Sequence, residues 1–247
     1  PGSNPGSASN PFSASLMRSG DFLHGRIHAP ARSISALCAA ACIFKPAQFA
    51  ATARAIRVRM HRRSPPALTG ILTMKTILET PRLLLREMTT SDLPAICRVL
   101  QDEKTMYAYE HAFSDEEAQA WLNNQLRRYR EDGFGLWAVV LKESGEIIGQ
   151  CGITLQDVNG EWVPEVGYLF ERAYWHQGFA TEAAIACKEY AFSVLGLDTV
   201  YSIIRDNNIA SQNVAKRNGM TICGRIVKHY YGMDMPHLVY RAERDAK

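Results

Sequence analysis

The chain has 247 residues, 47% of them hydrophobic and 21% charged, a composition that suits a globular domain and excludes a fully disordered polymer. The formal charge of +3 hides a split: residues 1–73 hold nine basic residues against one acid, Asp21, which leaves 19 basic against 24 acidic residues from Met74 onward. A domain with an acidic excess lacks the basic surface that neutralises phosphates, so no nucleic-acid partner is expected.

In chain order, residues 1–73 run through Gly, Ser, Pro, Ala and Arg without sustained periodicity and are expected to be disordered. The apolar patch 34–44 is too short to span a bilayer, so no membrane partner is expected. The segment reads as an expression leader or upstream sequence ahead of a domain at 74–247. Its Arg- and Ser-rich, acid-poor character also imitates an organelle transit peptide.

The run 82–88 suits a strand. Thr90, Ser91 and Asp92 offer helix caps, and Leu93, Ile96, Cys97 and Leu100 follow at helical spacing. A second helix opens at Ser114, with Glu117 completing a capping box, and ends at Gly133. Strands follow at 136–141 and 147–158; Asn159-Gly160 then predicts a tight hairpin into 161–170. A helix at 181–195, a strand at 199–205, a helix at 210–218 and strands near 221–230 and 237–242 complete the domain. The order β-α-α-β-β-β-α-β-α-β-β predicts an α/β (α+β) class: a mixed, mostly antiparallel sheet flanked by helices.

Chemistry concentrates at Glu165-Val-Gly-Tyr-Leu-Phe170 and the following Trp175-His-Gln-Gly-Phe-Ala-Thr-Glu-Ala183, where a strand runs through a small-residue turn into a helix. The first amides of a helix lack internal partners and carry partial positive charge, so such a turn binds anions. Gly-x-Ala before a helix is by itself a weak signal, because glycine there is often ordinary turn chemistry. The stretch Tyr174–Ala183, read as Tyr-Trp-x-x-Gly-x-Ala-Thr-Glu-Ala, together with Asn208-x-x-Ser211 and Asn218-Gly-Met220, resembles the GNAT acetyltransferase family. Within it the resemblance is to the branch of ribosomal-protein N-terminal acetyltransferases and their small-amine relatives, and it extends from about Thr80 to Glu243.

The resemblance implies an acetyl-CoA-dependent N-acetyltransferase, cytoplasmic, that transfers acetyl directly to a primary amine on a protein N-terminus or a small molecule. It implies splayed central strands that hold the pantetheine arm against Tyr168, Leu169 and Phe170. The diphosphate is expected on Gln177, Gly178, Phe179, Ala180 and Thr181, with Asn208 and Ser211 completing the cofactor site. Trp175 stands where the wider family carries Gln or Arg.

Glu165 is the expected general base, against the plainer reading of a strand-end carboxylate paired with Lys or Arg. Many relatives protonate the leaving thiolate with a Tyr seven residues past the motif Asn; that position is Ala215, and Ser211 is the expected substitute. Tyr109, Glu110 and Tyr230 are assigned to the acceptor. Trp121 and Tyr129, in a helical stripe, read as core, and His176 as a solvated turn residue. The domain's acidic excess favours a cationic acceptor. A catalytically silent acyl-CoA-binding module is the alternative, and a homodimer stays open. No His or Cys spacing matches a metal site, and Cys97, Cys151, Cys187 and Cys223 read as buried core thiols.

Overall fold

The computed structural model describes residues 75–230 and 232–245, with the side chain of Tyr230 outside that description. The leader at 1–73, with Cys38 and Cys42, lies outside the described residues. The apolar runs become β1 (Thr76–Glu79), β2 (Leu83–Arg86), β3 (Leu136–Leu141), β4 (Ile147–Val158), β5 (Glu161–Phe170), β6 (Thr199–Arg205), β7 (Thr221–Tyr230) and β8 (Met233–Glu243). The helices are α1 (Leu93–Leu100), α2 (Asp115–Glu131), α3 (Phe179–Ser193) and α4 (Ile209–Arg217). The strand β1 is an addition to the sequence expectation; at four residues it is too short to show a period, and its pairing to β2 creates it.

The strands form one sheet in the order β1-β2-β3-β4-β5-β6-β8-β7, antiparallel throughout except where β5 meets β6. Asn159 and Gly160 take φ of 55° and 90°, the left-handed values that a tight hairpin turn needs, and the Gly160 amide donates to Asp157 Oδ1 at 2.7 Å. Register then runs unbroken from Val158↔Glu161 to Gly149↔Phe170. In contrast, β5 and β6 share the single parallel pair Glu165↔Tyr201. Beyond it the two strands diverge, and the ladder groups of β5 on that edge are left for something other than β6.

Side chains alternate across the pleat, so the register assigns each residue a face. Glu165, Leu169, Tyr201, Ile203, Arg205, His237 and Lys228 share one face through the pairs Glu165↔Tyr201, Arg205↔His237 and Lys228↔Met235. Helices α1 and α2 pack on this face through Ile96, Leu100, Ala118 and Leu122 against Leu136 and Ala138. The opposite face carries Tyr168, Phe170 and Ile204, with α3 packed there through Ala183, Ala184, Cys187 and Ala191. Small residues on α3 let the helix lie close to the sheet.

The α2 capping box forms as expected: Ser114 Oγ accepts from the Glu117 amide at 3.2 Å, and Glu117 Oε2 accepts from the Ser114 amide at 2.9 Å. Cys151 and Cys187 are fully buried with sulfurs 3.5 Å apart, and Cys97 is half-buried. The expectation of four buried thiols fails at Cys223, which is exposed, because β7 is an edge strand and Cys223 falls at its bulge between Ile222 and Gly224.

Candidate active site

A cleft of about 250 Å³ opens where β5 and β6 part. It is lined by Glu165, Tyr168 and Leu169 from β5, Ser202 to Arg205 from β6, and Asn208 and Ser211 at the start of α4. On the face of α1 and α2 it is walled by Tyr109, Phe113, Trp121 and Arg128, and on the β7–β8 side by Lys228, Met235 and His237. The sequence-assigned residues Glu165, Tyr168, Leu169, Asn208, Ser211 and Tyr109 therefore converge on one cavity.

Glu165 sits at the apex of the divergence. Its Oε1 accepts from the Ile203 amide at 3.0 Å, bridging strands whose ladder has just ended, while Ser202 Oγ donates to Val166 O at 2.8 Å. Burial is the strongest influence on this carboxyl and raises its pKa above the ordinary value; Lys228, the Ile203 amide and Arg128 oppose the rise. Glu165 thus lies deep in protein while keeping an edge on the cleft.

Tyr168 points to the α3 and α4 face, where its hydroxyl donates to Ser211 O at 2.8 Å. Burial raises its pKa beyond the ordinary tyrosine range, so the phenol stays protonated. Asn208 caps α4: its Oδ1 accepts from the Ser211 amide at 3.0 Å and from Tyr107 Oη at 2.7 Å. With that oxygen committed, the Asn208 side chain has only its NH₂ to offer a ligand. Among the described residues, Ser211 Oγ has no hydrogen-bond partner and the residue lines the cleft. Tyr107, which bonds Asn208, and Glu110, which pairs with Arg205, strap the segment before α2 across the open end of β6.

The small-residue turn lies outside the cleft lining. Residues 176–178 are exposed; His176 and Gly178 take φ of 61° and 82°, and Gly178 is the N-cap of α3. The first bond inside this helix runs from the Glu182 amide to Gly178 O at 3.0 Å, so the amides of Phe179, Ala180 and Thr181 precede the internal ladder. The helix opens two residues earlier than periodicity indicated, because Phe179 turns its ring into the core at 5% exposure. Trp175 has a structural explanation: its indole N–H donates to Phe170 O at 2.9 Å. That bond closes the carbonyl of Phe170, whose ring is buried, so the free ladder edge of β5 ends before it.

Arg82, which sequence reading placed only in a strand, and Glu182 of the motif hold this turn. Arg82, at the start of β2, donates from Nε to Glu182 Oε2 at 2.7 Å and from Nη1 to Gln177 O at 3.0 Å. Its guanidinium lies 4.3 Å from the Phe179 ring centroid. A Cβ placed on Gly178 would meet Arg82 Nη2 at 3.5 Å. Glu182 also accepts from Thr80 Oγ1 at 2.5 Å and from the Arg82 amide at 3.1 Å. The only sequence signal was an Arg and a Glu a hundred residues apart, a pairing that one sequence cannot reveal. Glu110 reaches the site through Arg205 rather than by lining the cleft, and the Tyr230 side chain lies outside the described residues. Among the described residues no group of three or more His, Cys, Asp or Glu side chains converges as a metal set.

Comparison with known proteins agrees with this geometry. The Bacillus subtilis (strain 168) protein YkkB is 34% identical over 150 residues, covering 60% of this chain and 87% of YkkB. The N-acetyltransferase YnaD of the same organism is 32% identical over 144 residues, covering 58% and 81%. Among solved structures, an acetyltransferase from Agrobacterium tumefaciens str. C58 superposes with a TM-score of 0.58 at 28% identity, covering 73% of this chain and all of that one. RimL, a ribosomal L7/L12 alpha-N-protein acetyltransferase solved with coenzyme A, shares the fold with a TM-score of 0.57 at 21% identity, covering 70% and 100%. The family model for the acetyltransferase (GNAT) domain matches residues 82–221, more than half of the chain, and the chain belongs to that family of acetyl-CoA-dependent acyltransferases.

Proposed function

We propose that this enzyme transfers acetyl from acetyl-CoA directly to a primary amine, on a protein N-terminus or a small molecule, with Glu165 as the base. The observation that carries the reading is the lone parallel pair Glu165↔Tyr201, which leaves β5 unpaired beside a cleft with a raised-pKa carboxylate at its apex. The pantetheine arm takes the place of a strand along Tyr168 and Leu169, and Asn208 donates its side-chain NH₂ to it. The diphosphate meets the amides of Gln177, Gly178, Phe179, Ala180 and Thr181, where the helix dipole favours negative charge.

The acceptor enters from the α2 face and meets Glu165. An alkylamine is mostly protonated at neutral pH, so a proton must leave before its lone pair attacks the thioester carbon. The new C–N bond forms as the C–S bond breaks, with the electron pair leaving on sulfur. A β5 amide holds the developing oxyanion, and Ser211 Oγ supplies a proton to the thiolate. Free thiols at Cys151 and Cys187 fit a reducing compartment, as a cytoplasmic location requires.

The pH profile of kcat/KM tests the base. Glu165 works only when ionised, and its pKa is raised, so wild-type activity climbs with pH through a value above the ordinary carboxylate range. Glu165→Gln is expected to lower kcat by about 10²- to 10⁴-fold near neutrality and to erase that limb, leaving only the acceptor amine's own ionisation. Coincident profiles for wild type and variant would reduce Glu165 to the strand bridge described by its bond to Ile203.

A further inference from the structure

Resting on the transferase reading above and naming its substrate class, we infer that the acceptor carries a bulky apolar group, aromatic or branched aliphatic, on the carbon that bears its amine. That group is seated over Gly167 and against Tyr109, Phe113 and Trp121. Two features of the Glu165 face of the cleft point there: a strand position left bare for no reason of packing, and a wall of three rings lining the same cavity.

Glu165, Gly167 and Leu169 alternate with Val166, Tyr168 and Phe170 along β5, so all three lie on the face that carries α1 and α2. Glycine inside a strand weakens it and calls for a cause. At Gly152, the residue opposite across the ladder, packing supplies one, since an added Cβ would collide with the Gly135 carbonyl oxygen. At Gly167 it does not. A Cβ there would meet only Leu136 Cδ2, at 3.5 Å, an ordinary contact, and the φ of Gly167 is not left-handed. Gly167 lines the cleft one step along this face from Glu165. A bare position that the fold does not require, beside the proposed base, marks the close approach of a ligand.

Tyr109 and Phe113, from the segment before α2, and Trp121 of α2 line the same cavity. Their ring centroids lie 5.8 to 6.1 Å apart at interplanar angles of 68° to 88°, so the three pack edge to face on one another. At that spacing the trio encloses nothing. A cage for an alkylated ammonium needs ring faces turned on a shared space, and here the rings themselves fill that space. What they present is a single apolar surface. It is held still, because the Trp121 indole N–H donates at 2.9 Å to Oε1 of Gln150, which is buried. Nearby charged groups are engaged within the protein: Glu117 accepts from the Ser114 amide at 2.9 Å and meets His111 at 3.0 Å, Arg205 pairs with Glu110, and Arg128 donates to Gln125 Oε1 at 3.5 Å. Lys228 acts on the Glu165 carboxyl. The domain's acidic excess attracts the ammonium form of any amine, and the wall selects among them by apolar contact.

The test uses the full chain, acetyl-CoA and a thiol-release assay with amino acid amides, which present the same α-amine: glycinamide, leucinamide, phenylalaninamide and lysinamide. The expected result is a KM for leucinamide or phenylalaninamide about tenfold or more below that of glycinamide, the scale of burying one large apolar side chain. Phenethylamine and tetrapeptides that begin with Phe then separate the two sources of this chemistry, and the lower KM names a small molecule or a protein N-terminus. Trp121→Leu is expected to bring the phenylalaninamide-to-glycinamide ratio within about threefold. Gly167→Ala, which the fold has room for, is expected to raise the KM for phenylalaninamide about tenfold and that for glycinamide much less, the scale of one methyl group in a close pocket. Equal KM values across the amides, or a ratio unmoved in both variants, overturns the apolar subsite and leaves the transferase standing. A lysinamide KM below that of leucinamide overturns the assigned class. A Gly167→Ala effect confined to the KM for acetyl-CoA overturns the seat by giving Gly167 to the donor. If no amine releases thiol, the transferase reading falls and this inference with it.

Discussion

Arg82 does more for the turn ahead of α3 than its position in a surface strand implies. It reaches Glu182 and the Gln177 carbonyl and lies over Phe179, so one side chain fixes the three residues around Gly178. The turn itself needs left-handed φ at both His176 and Gly178, a conformation that an isolated segment holds poorly. The guanidinium also adds positive charge beside the amides proposed for the diphosphate. Arg82→Ala is expected to raise the KM for acetyl-CoA about tenfold with a much smaller change in kcat, as loss of ground-state binding does. Arg82→Lys is expected to recover only part of the loss, since an ammonium lacks the fork that spans Glu182 and Gln177. Steady-state kinetics with acetyl-CoA as the varied substrate reads both, and a kcat loss at unchanged KM would place Arg82 elsewhere in the reaction.

Among the elements, β4 shows how closely the strands around the cleft are built. At Gly152 an added Cβ would lie 2.1 Å from the Gly135 carbonyl oxygen, a backbone atom that cannot swing aside. The neighbouring Ile153 amide donates to that same oxygen at 3.1 Å. Gly152→Ala is therefore expected to cost about 3 kcal/mol or more, the upper end of overpacking penalties, read as a lowered urea midpoint. An unchanged midpoint would mean that β3 and β4 separate more readily than their register indicates. The elements were largely legible in the sequence: the bounds of β3, β4, β5, β6 and β7 match the predicted runs, and the Ser114 capping box and the Asn159-Gly160 turn form as their residue types require. Where the reading slipped, the cause is tertiary. The short β1 exists by pairing, and α3 gains its first turn because Phe179 finds a core to enter.

For the molecule as a whole, the joint between sheet and α1 depends on a buried ion pair. Arg86 of β2 donates to Asp92 Oδ2 and Oδ1 at 2.7 and 2.8 Å, and the Thr89 amide donates to the same carboxylate at 2.7 Å. Burial by itself raises the Asp92 pKa; the Arg86 and Thr89 hydrogen bonds outweigh it, and the net is below the ordinary value. A carboxyl with a lowered folded pKa stabilises above its unfolded value, about 3.9, and that contribution fades as pH falls toward the folded value. Asp92→Asn leaves Arg86 charged, buried and half-satisfied, so a loss of about 3–5 kcal/mol is expected at pH 7. The difference between wild type and variant should shrink in acid below pH of about 4, in urea titrations repeated across pH. A constant difference across that range would separate the stability loss from Asp92 ionisation.

Strand and helix periods, caps and turn glycines were legible along the chain because they follow from chemistry within a few residues, whereas the grouping of Glu165, Tyr168, Asn208 and Ser211 is what the family resemblance implied. Which face each group serves was settled by the fold, because the pleat sorts residues by register across β5, β6, β8 and β7 and no single segment contains that register. The fold alone joined Arg82 to Glu182 and brought Lys228 near enough to Glu165 to act on its carboxyl.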